Sequence, residues 1–194
     1  MNAAELIEFE ADIAAQFNAG RIHAPIHLSG GNENELIEIF KEIRPTDWVF
    51  STWRNHWHAL LHGVPAAQVR ADILAGKSIT LTYPEHRFFS SAIVGGHLPI
   101  AVGTALSIKL DGGADRVWVF MGDMASRSGV AHECIQYAFG HSLPISFVVE
   151  DNDISVFTPT DETWGGPVNR NATLRRYSYQ LTWPHSGAGK WIRW

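Results

Sequence analysis

Hydrophobic residues follow two patterns along the chain, helical spacing and short unbroken runs. Helical spacing predicts helices over 3–17, 33–43, 56–62, 66–75 and 129–139. A further helix, ending near Lys109, is rich in small residues between Ala101 and Ala105. Unbroken apolar runs predict buried strands over 47–51, 116–121 and 144–149, and turn residues such as Gly112-Gly113 separate the elements.

The order of these elements indicates an α/β fold. The run 116–121, the helix 129–139 and the run 144–149 form a strand–helix–strand unit. Such a unit favours two parallel strands joined by a right-handed crossover. The sequence has no internal repeat, low-complexity tract or linker, so we expect a single domain over 1–194, with helices on both faces of the sheet.

Composition narrows the class of protein. The 194 residues are 45% hydrophobic and 18% charged, with a net charge of −5, which argues against nucleic acid as the main partner. No apolar run approaches the roughly 20 residues of a membrane helix, so no membrane partner is expected. The acidic opening is unlike a signal peptide, and the single cysteine, Cys134, suits a reducing cytoplasm.

Acid and amide side chains lie where two of the predicted strands end. Gly122-Asp123-Met124 closes the first strand, and Glu150-Asp151-Asn152 closes the second. The carboxyl ends of parallel strands meet at one edge of a sheet, where open α/β folds bind phosphorylated ligands. Mg²⁺ prefers oxygen ligands and shares its shell with phosphate. Taken alone, an Asp at a strand end is common, and a plain structural role stays open.

These motifs resemble the Gly-Asp-Gly…Asn-Asn signature of thiamine diphosphate enzymes. Further segments are similar to the alpha subunit of the first component of 2-oxo acid dehydrogenases. They are Trp53-Arg54-Asn55-His56 followed by Gly63-Val64-Pro65, the segment from Ala92 to Pro99, and Leu143-Pro144. The resemblance spans about 47–159 and implies the thiamine diphosphate-binding fold, a three-layer α/β structure with a parallel sheet.

By this resemblance, the cofactor and its metal bind at the strand ends. The expected Mg²⁺ ligands are Asp123, the side chain of Asn152 and the backbone carbonyl of Ile154. Arg54 is expected to neutralise the diphosphate. The remaining expected cofactor-binding residues are Trp53, His56, Ala92, Val94, Gly122, Met124 and Ala125.

The sequence also departs from the family pattern. Met124 replaces the third glycine of the signature, and a positive φ there would be disfavoured. Asp151 replaces the first asparagine, and Trp53 replaces a tyrosine. The chain ends at Trp194, whereas alpha subunits of the family continue through a loop whose histidine points at the thiazolium. His185 is the expected substitute for that histidine, and a surface histidine in a Pro/Ser/Gly turn is the alternative.

Two other histidines are candidates for proton transfer, because histidine titrates near neutral pH. His86 and His97 flank the segment that resembles the cofactor-facing loop. We take His86 and His185 as the expected catalytic residues. A zinc site at His132-Glu133 is not expected, because position 136 is glutamine and the His-Glu-x-x-His pattern fails.

The resemblance implies an alpha-like subunit that holds the cofactor diphosphate. A separate pyrimidine-binding beta subunit would supply the activating glutamate, in a two-alpha, two-beta assembly. The expected reaction is decarboxylation of a 2-oxo acid with acyl transfer. Two alternatives are half of a split transketolase, which moves a two-carbon ketol unit, and a non-catalytic cofactor-binding subunit.

Overall fold

The computed structural model describes residues 1–165 and 174–189. The helices are α1 Ala3–Asn18, α2 Glu33–Phe40, α3 His56–Leu61, α4 Ala66–Leu74, α5 His97–Leu110, α6 Gly129–Gly140 and α7 Thr160–Trp164. The strands are β1 Trp48–Ser51, β2 Thr82–Tyr83, β3 Phe88–Ser90, β4 Val117–Gly122, β5 Ile145–Asp151, β6 Ile154–Ser155, β7 Thr158–Pro159 and β8 Arg175–Ser178. Residues 166–173 and 190–194 of the expected domain lie outside the described residues.

One sheet organises the described part of the chain, with strand order β2-β3-β1-β4-β5-β8. All neighbouring pairs in it are parallel except β2 with β3 at one edge. The predicted parallel pairing of the two central strands is confirmed, with Gly122 opposite Glu150. Both acid and amide clusters therefore lie at the carboxyl edge of the sheet.

Helices cover both faces of this sheet. On one face, α1 to α4 enclose a core that includes Trp57, Phe120 and Val148. On the other face, α5 and α6 pack over Val119 and Val149. Residues that alternate along β4 and β5 thus enter opposite cores, as expected for a strand buried on both sides. The predicted three-layer α/β fold is confirmed.

The first helix carries a buried carboxylate that contacts the loop following it. Asn2 and Glu5 form a capping box, which satisfies backbone N–H groups at the start of α1. Further along, the fully buried Glu10 accepts a hydrogen bond of 2.9 Å from the backbone N–H of Ser29. This bond fixes the loop between α1 and α2 above the carboxyl edge of the sheet.

The helix–strand unit around the second core begins with an ordered turn. After Gly122 the chain makes a 3₁₀ turn over Ala125–Arg127. Ser128 then caps α6, because its side chain accepts a hydrogen bond from the N–H of Ala131 at 3.3 Å. None of the helices in residues 1–165 and 174–189 has both the length and the apolar character to cross a lipid bilayer.

Candidate functional site

A cavity opens at the carboxyl edge of the sheet, where β1, β4 and β5 end. It is lined by side chains and backbone from these strand ends and from three loops. They are Thr52, Trp53, Arg54, Ile93, Val94, Gly95, His97, Gly122, Asp123, Met124, Ala125, Glu150, Asn152, Ile154, Ser155, Val156, Tyr179 and His185. The edge that the sequence predicted as the ligand-binding edge is therefore where the cavity lies.

Asp123 lies at the end of β4, where its side chain is buried. The hydroxyl of Thr160, the first residue of α7, donates a hydrogen bond to its Oδ2. Burial raises the pKa of the Asp123 carboxyl, the Thr160 hydrogen bond opposes this, and the nearby Asp151 carboxylate raises the pKa further. A cation bound here would relieve the unfavourable burial of this charge.

Two further carboxylates lie beside Asp123. Carboxylate oxygens of Asp123, Asp151 and Asp153 all lie within 4.8 Å of one another. Asp151 also accepts a hydrogen bond of 2.8 Å from Arg176, while Asp153 is exposed. The carboxylates at these two strand ends can therefore hold a divalent cation through oxygen atoms alone.

The other two predicted metal ligands follow in the same run. Asn152 and Ile154 both line the cavity. The N–H of Ile154 donates to the side-chain oxygen of Asn152 at 3.3 Å, which bends the chain back on itself. The structure thus brings Asp123, Asn152 and Ile154 to one place, and it adds Asp151 and Asp153, which the predicted ligand set did not contain.

Met124 fits its position without backbone strain. Its φ is −63° and its ψ is −44°, an ordinary helical conformation. A positive φ, which methionine would disfavour, does not occur here, so the backbone does not require the third glycine of the signature. The Met124 sulfur accepts a hydrogen bond of 3.1 Å from the Trp164 indole N–H, so the side chain points towards α7.

Arg54 lines the same cavity and is half-buried. Its guanidinium donates to the backbone carbonyl of Leu28 and, over 3.2 Å, to that of His185. No carboxylate among the described residues forms an ion pair with it. Burial lowers the pKa of Arg54, although the group keeps its charge near neutral pH. A half-buried cation that pairs with no carboxylate of the described residues is suited to binding an anion.

The segment 183–187 closes one side of the cavity and presents His185 to it. The Nδ1 atom of His27 lies 2.7 Å from the carbonyl oxygen of His185. The N–H of Gly187 donates to the carbonyl of Ile26 at 3.0 Å. His27 forms an isolated parallel bridge with Gly187. This segment is therefore anchored to the loop that follows α1.

Close packing of that loop requires glycine. A Cβ atom added to Gly30 would lie 2.0 Å from the hydroxyl oxygen of Thr182, and one added to Gly31 would lie 2.0 Å from the carbonyl of Gln180. Gly31 also has a φ of +89°. Any other residue at either position would push away the segment that carries His185.

His185 lies among aromatic rings at the mouth of the cavity. Its ring centroid is 4.9 Å from that of His27, 6.0 Å from Phe157 and 6.4 Å from Trp53. Burial and the charge of Arg54 lower the pKa of His185. Burial also lowers the pKa of His27, to about 4, and the charge of Arg54 adds to this. Both rings are therefore neutral near pH 7, and the His185 ring can accept a proton.

Glu150 contributes a buried carboxylate to the cavity lining. Its Oε1 accepts hydrogen bonds from the Tyr177 hydroxyl at 2.5 Å and from the Asn32 amide at 3.2 Å. The Nε2 atom of His58 lies 3.3 Å from the same oxygen. Burial alone would raise the pKa of Glu150, but the charge of His58 and these hydrogen bonds bring it below its ordinary value. Glu150 is therefore ionised near neutral pH.

His97 begins α5 and lines the base of the cavity. Its Nε2 atom lies 2.8 Å from the carbonyl oxygen of Phe120, so the proton is on Nε2 and Nδ1 is an acceptor. The Nδ1 atom is buried and has no hydrogen-bond partner among the described residues. Burial lowers the pKa of His97 to about 4.

Some of the residues predicted for the site lie elsewhere. His56 is fully buried, with Nδ1 3.0 Å from Glu10 and Nε2 2.8 Å from Ser78. It therefore supports the core beneath the loop at Ser29 and does not line the cavity. Ala92 adjoins the cavity but is not part of its lining.

His86 lies at the opposite edge of the sheet. It ends the 3₁₀ turn Pro84–His86, which precedes the parallel strand β3. It lies close enough to His62 to affect the pKa of that ring, which burial lowers. The Nε2 atom of His62 lies 3.1 Å from the carbonyl oxygen of Asp47, directly before β1. His86 therefore lies at the amino edge of the sheet, whereas the cavity lies at the carboxyl edge. It cannot have its predicted catalytic role in this cavity.

Sequence reasoning missed several cavity residues. The sequence shows Glu150 only as part of an acidic run, which predicts no separate role for it. Tyr179 lines the cavity because β8 adds to the sheet beside β5, with Ser178 opposite Asp151. The available signal was the Tyr177-Ser178-Tyr179 alternation, which is typical of a strand.

Comparisons with known proteins show which family the chain resembles. The sequence model of the dehydrogenase E1 component family matches residues 1–167. The chain is 31% identical over 163 residues to the chloroplastic pyruvate dehydrogenase E1 component subunit alpha-3 of Oryza sativa subsp. japonica, covering 74% of this chain and 38% of that protein. It is 33% identical over 160 residues to the corresponding subunit of Arabidopsis thaliana, covering 74% of this chain and 37% of that protein.

A relative with a different named activity also matches. The chain is 27% identical over 164 residues to the alpha subunit of acetoin:2,6-dichlorophenolindophenol oxidoreductase from Cupriavidus necator, covering 79% of this chain and 49% of that protein. The chain spans half the length of these curated relatives or less. It belongs to the dehydrogenase E1 component family, and the predicted resemblance to the alpha subunits of that family is confirmed.

Proposed function

We propose that this chain is an alpha-like subunit of a thiamine diphosphate- and Mg²⁺-dependent enzyme that acts on 2-oxo acids. One observation carries the proposal. The cation of Arg54, which pairs with no carboxylate among the described residues, and the oxygen-rich run around Asp123 and Asn152 border the same cavity. A diphosphate with its metal complements both, because the metal binds the acidic run and the phosphate oxygens reach the guanidinium.

The residues present fit the cofactor's charged end. Asp123, Asn152 and the backbone of Ile154 would hold Mg²⁺, with Asp151 and Asp153 close by. The backbone from Gly122 to Ala125 borders the place for the phosphates, and Met124 does not disturb it. When bound, thiamine diphosphate supplies a carbon nucleophile and stores the electron pair released from the substrate.

His185 is the side chain of this chain best placed for proton transfer at the mouth of the cavity. Its ring lies at the cavity surface, while its backbone carbonyl accepts a hydrogen bond from Arg54. A neutral imidazole can take a proton from a substrate or cofactor group and return it. The rings of Trp53 and Phe157 pack near it.

The lining favours a 2-oxo acid over a sugar phosphate. Arg54 is the only arginine or lysine among the described lining residues. Once it neutralises the cofactor diphosphate, no cation of the described lining is left for a second phosphate group. His97 and His185 do not supply one, because burial lowers the pKa of each.

Apolar side chains at the rim support a partner subunit over the cavity. Ile93 is 72% exposed and Phe157 is 81% exposed, and Val94 and Val156 lie beside them in the exposed class. Exposed apolar side chains grouped around a cavity are typical of a contact surface. A pyrimidine-binding beta subunit docked here, in a two-alpha, two-beta assembly, would complete the active site and cover this rim.

Direct titration tests the cofactor assignment. Thiamine diphosphate is titrated into the chain, alone and mixed with a pyrimidine-binding beta-type subunit, with Mg²⁺ or with a chelator. Quenching of tryptophan fluorescence reports binding, because Trp53 lines the cavity. We expect saturable binding that requires Mg²⁺.

A matched pair of variants locates the metal. Asp123→Asn removes a predicted ligand, and we expect loss of Mg²⁺-dependent binding. Asp161→Asn changes a carboxylate that instead forms an ion pair with Arg127 at 3.2 Å, and we expect nearly unchanged binding. Two results would contradict the metal assignment. One is that the wild-type protein binds equally well in the presence of the chelator, and the other is that Asp123→Asn retains Mg²⁺-dependent binding. No binding even with the partner present would refute the proposed function.

A further inference from the structure

Thr160 connects the two strand ends that carry the proposed metal ligands. Its hydroxyl donates a hydrogen bond to Oδ2 of Asp123, directly after β4. Its backbone N–H donates to the carbonyl of Asp153 at 3.1 Å, in the run that follows β5. Thr160 is fully buried, and it is not among the residues that line the cavity. It therefore contacts both halves of the proposed metal site from behind, without facing a ligand in the cavity.

A short hairpin brings Thr160 to this position. In it β6 pairs with β7, with Ile154 opposite Pro159, so the chain returns to the ends of the central strands. Before the hairpin, Asp153 has a φ of 59°, in the left-handed region that residues other than glycine rarely adopt. The hydrogen bond from the Thr160 N–H to the Asp153 carbonyl stabilises this turn, which lies between the proposed ligands Asn152 and Ile154.

The hydroxyl of Thr160 restricts the other proposed ligand, Asp123. The side chain of an aspartate can occupy several rotamers, and fixing one of them costs conformational entropy. A buried hydroxyl that donates to one carboxylate oxygen fixes the rotamer before a metal binds, and the carboxylate keeps lone pairs for the cation. Loss of such a hydrogen bond to a metal ligand typically weakens metal binding by roughly 10- to 100-fold.

We propose that Thr160 is a positioning residue for the bound Mg²⁺. The inference rests on the proposed function and adds a residue of α7 that determines how tightly the metal is held. Through its hydroxyl, Thr160 orients the carboxylate of Asp123. Through its N–H, it fixes the backbone turn between Asn152 and Ile154. One residue thus holds the ligands from both strand ends in register with each other.

The test measures how much Mg²⁺ is needed for thiamine diphosphate to bind. Quenching of tryptophan fluorescence gives the Kd for thiamine diphosphate over a series of Mg²⁺ concentrations, with a beta-type subunit present if the wild type requires it. The proteins are the wild type, Thr160→Val, Thr160→Ser and Thr163→Val. Valine keeps the shape of threonine and removes the hydroxyl, whereas serine keeps the hydroxyl. Thr163 is the control, because it is an exposed residue of the same helix whose hydroxyl donates to the carbonyl of Pro159 at 3.4 Å.

We expect Thr160→Val to raise the half-saturating Mg²⁺ concentration at least about tenfold. At saturating Mg²⁺ its affinity for thiamine diphosphate should return close to that of the wild type, because the groups that bind the diphosphate are unchanged. Thr160→Ser and Thr163→Val should both follow the wild type. General damage to the fold would instead weaken binding of thiamine diphosphate at every Mg²⁺ concentration.

Three results would overturn the inference and leave the proposed function intact. They are an unchanged Mg²⁺ requirement in Thr160→Val, an equal weakening at all Mg²⁺ concentrations, and a serine variant as defective as the valine variant. Failure of the wild type to bind thiamine diphosphate even with the partner subunit would refute both. If Thr160→Val does not fold, Thr160→Ala removes the hydroxyl without placing a methyl group against the Asp123 carboxylate. The same rise in the Mg²⁺ requirement is expected for it, and an unchanged requirement would overturn the inference.

Discussion

Arg54 donates a hydrogen bond of 3.2 Å from Nη2 to the backbone carbonyl of His185. This bond joins the cation proposed to bind the diphosphate to the segment that presents a histidine at the mouth of the cavity. The Nδ1 atom of His27 lies 2.7 Å from the same carbonyl. Binding of an anion and placement of His185 are therefore linked through one side chain.

Replacement of Arg54 by lysine tests this link. Lysine keeps the charge but has no planar fork to reach the carbonyls of Leu28 and His185 while also binding phosphate. We expect thiamine diphosphate to bind at least tenfold more weakly, since a hydrogen bond to a charged group contributes about 1.5–3 kcal/mol. Calorimetry with Mg²⁺ measures the change. Arg44→Lys is the control, because Arg44 pairs with Asp47 directly before β1, at the amino edge of the sheet. Equal losses in both variants would contradict the role given to Arg54.

Replacement of Met124 by glycine tests the finding that this position needs no positive φ. Met124 has a helical backbone and accepts a hydrogen bond from Trp164. Glycine would restore the family signature, but it would lose this contact and gain freedom in the unfolded chain. We expect a lower free energy of unfolding, by about 1 kcal/mol. Urea denaturation compares it with Met124→Leu, which keeps the backbone preference. A glycine variant more stable than the wild type would show that the methionine strains the turn.

Gly31 and Gly112 form a matched pair for testing the packing of the His185 segment. Both have a positive φ, +89° and +66°. A Cβ at Gly31 would lie 2.0 Å from the Gln180 carbonyl, whereas Gly112 has open space around it. We expect Gly112→Ala to lower the free energy of unfolding by about 1–2 kcal/mol, from the backbone alone. Gly31→Ala should lower it further and also weaken cofactor binding. Thermal unfolding and calorimetry provide the two readings, and similar effects at both sites would argue against the close contact.

The stability of the fold should fall as the pH falls from about 6.5 towards 4, because of buried histidine. Burial lowers the pKa of His97 to about 4, below the value of 6.5 for an exposed histidine. In this window the unfolded chain binds a proton that the folded chain does not, so the free energy of unfolding decreases with decreasing pH. The slope approaches about 1.4 kcal/mol per pH unit for one such group. His27 contributes in the same direction, since its pKa is also about 4.

A substitution isolates the part due to His97. His97→Gln keeps a donor for the Phe120 carbonyl and removes the titrating ring. Urea denaturation at several pH values should give a flatter dependence for this variant. His132→Gln, at an exposed position on α6, should follow the wild type. Parallel curves for wild type and His97→Gln would show that His97 titrates normally in the folded chain.

Several parts of the fold and cavity could be predicted because local signals agree with tertiary structure. The strand–helix–strand unit around β4 and β5 follows from unbroken apolar runs, and its parallel pairing places Gly122 opposite Glu150. The acid and amide residues then meet at one edge for reasons of topology alone. Short strands such as β2 and β3 were missed, since two or three residues carry no periodic signal.

Other parts of the cavity depend on contacts between distant segments. The loop at Gly30 meets Thr182, and His27 meets His185, across more than half of the chain. His56 shows the opposite error, because a motif beside Arg54 suggested a cofactor contact and the helical geometry of α3 turns its ring towards Glu10. Neither result can be read from spacing, since both are decided by which segments pack together.

The most direct test of the central claim is an anomalous difference map from crystals grown with thiamine diphosphate and Mn²⁺ in place of Mg²⁺. The account predicts one strong peak at the ends of β4 and β5, in contact with Asp123 and Asn152, with diphosphate density between this peak and Arg54. Density for a cofactor bound elsewhere, or a metal peak away from Asp123 in the presence of bound cofactor, would contradict it.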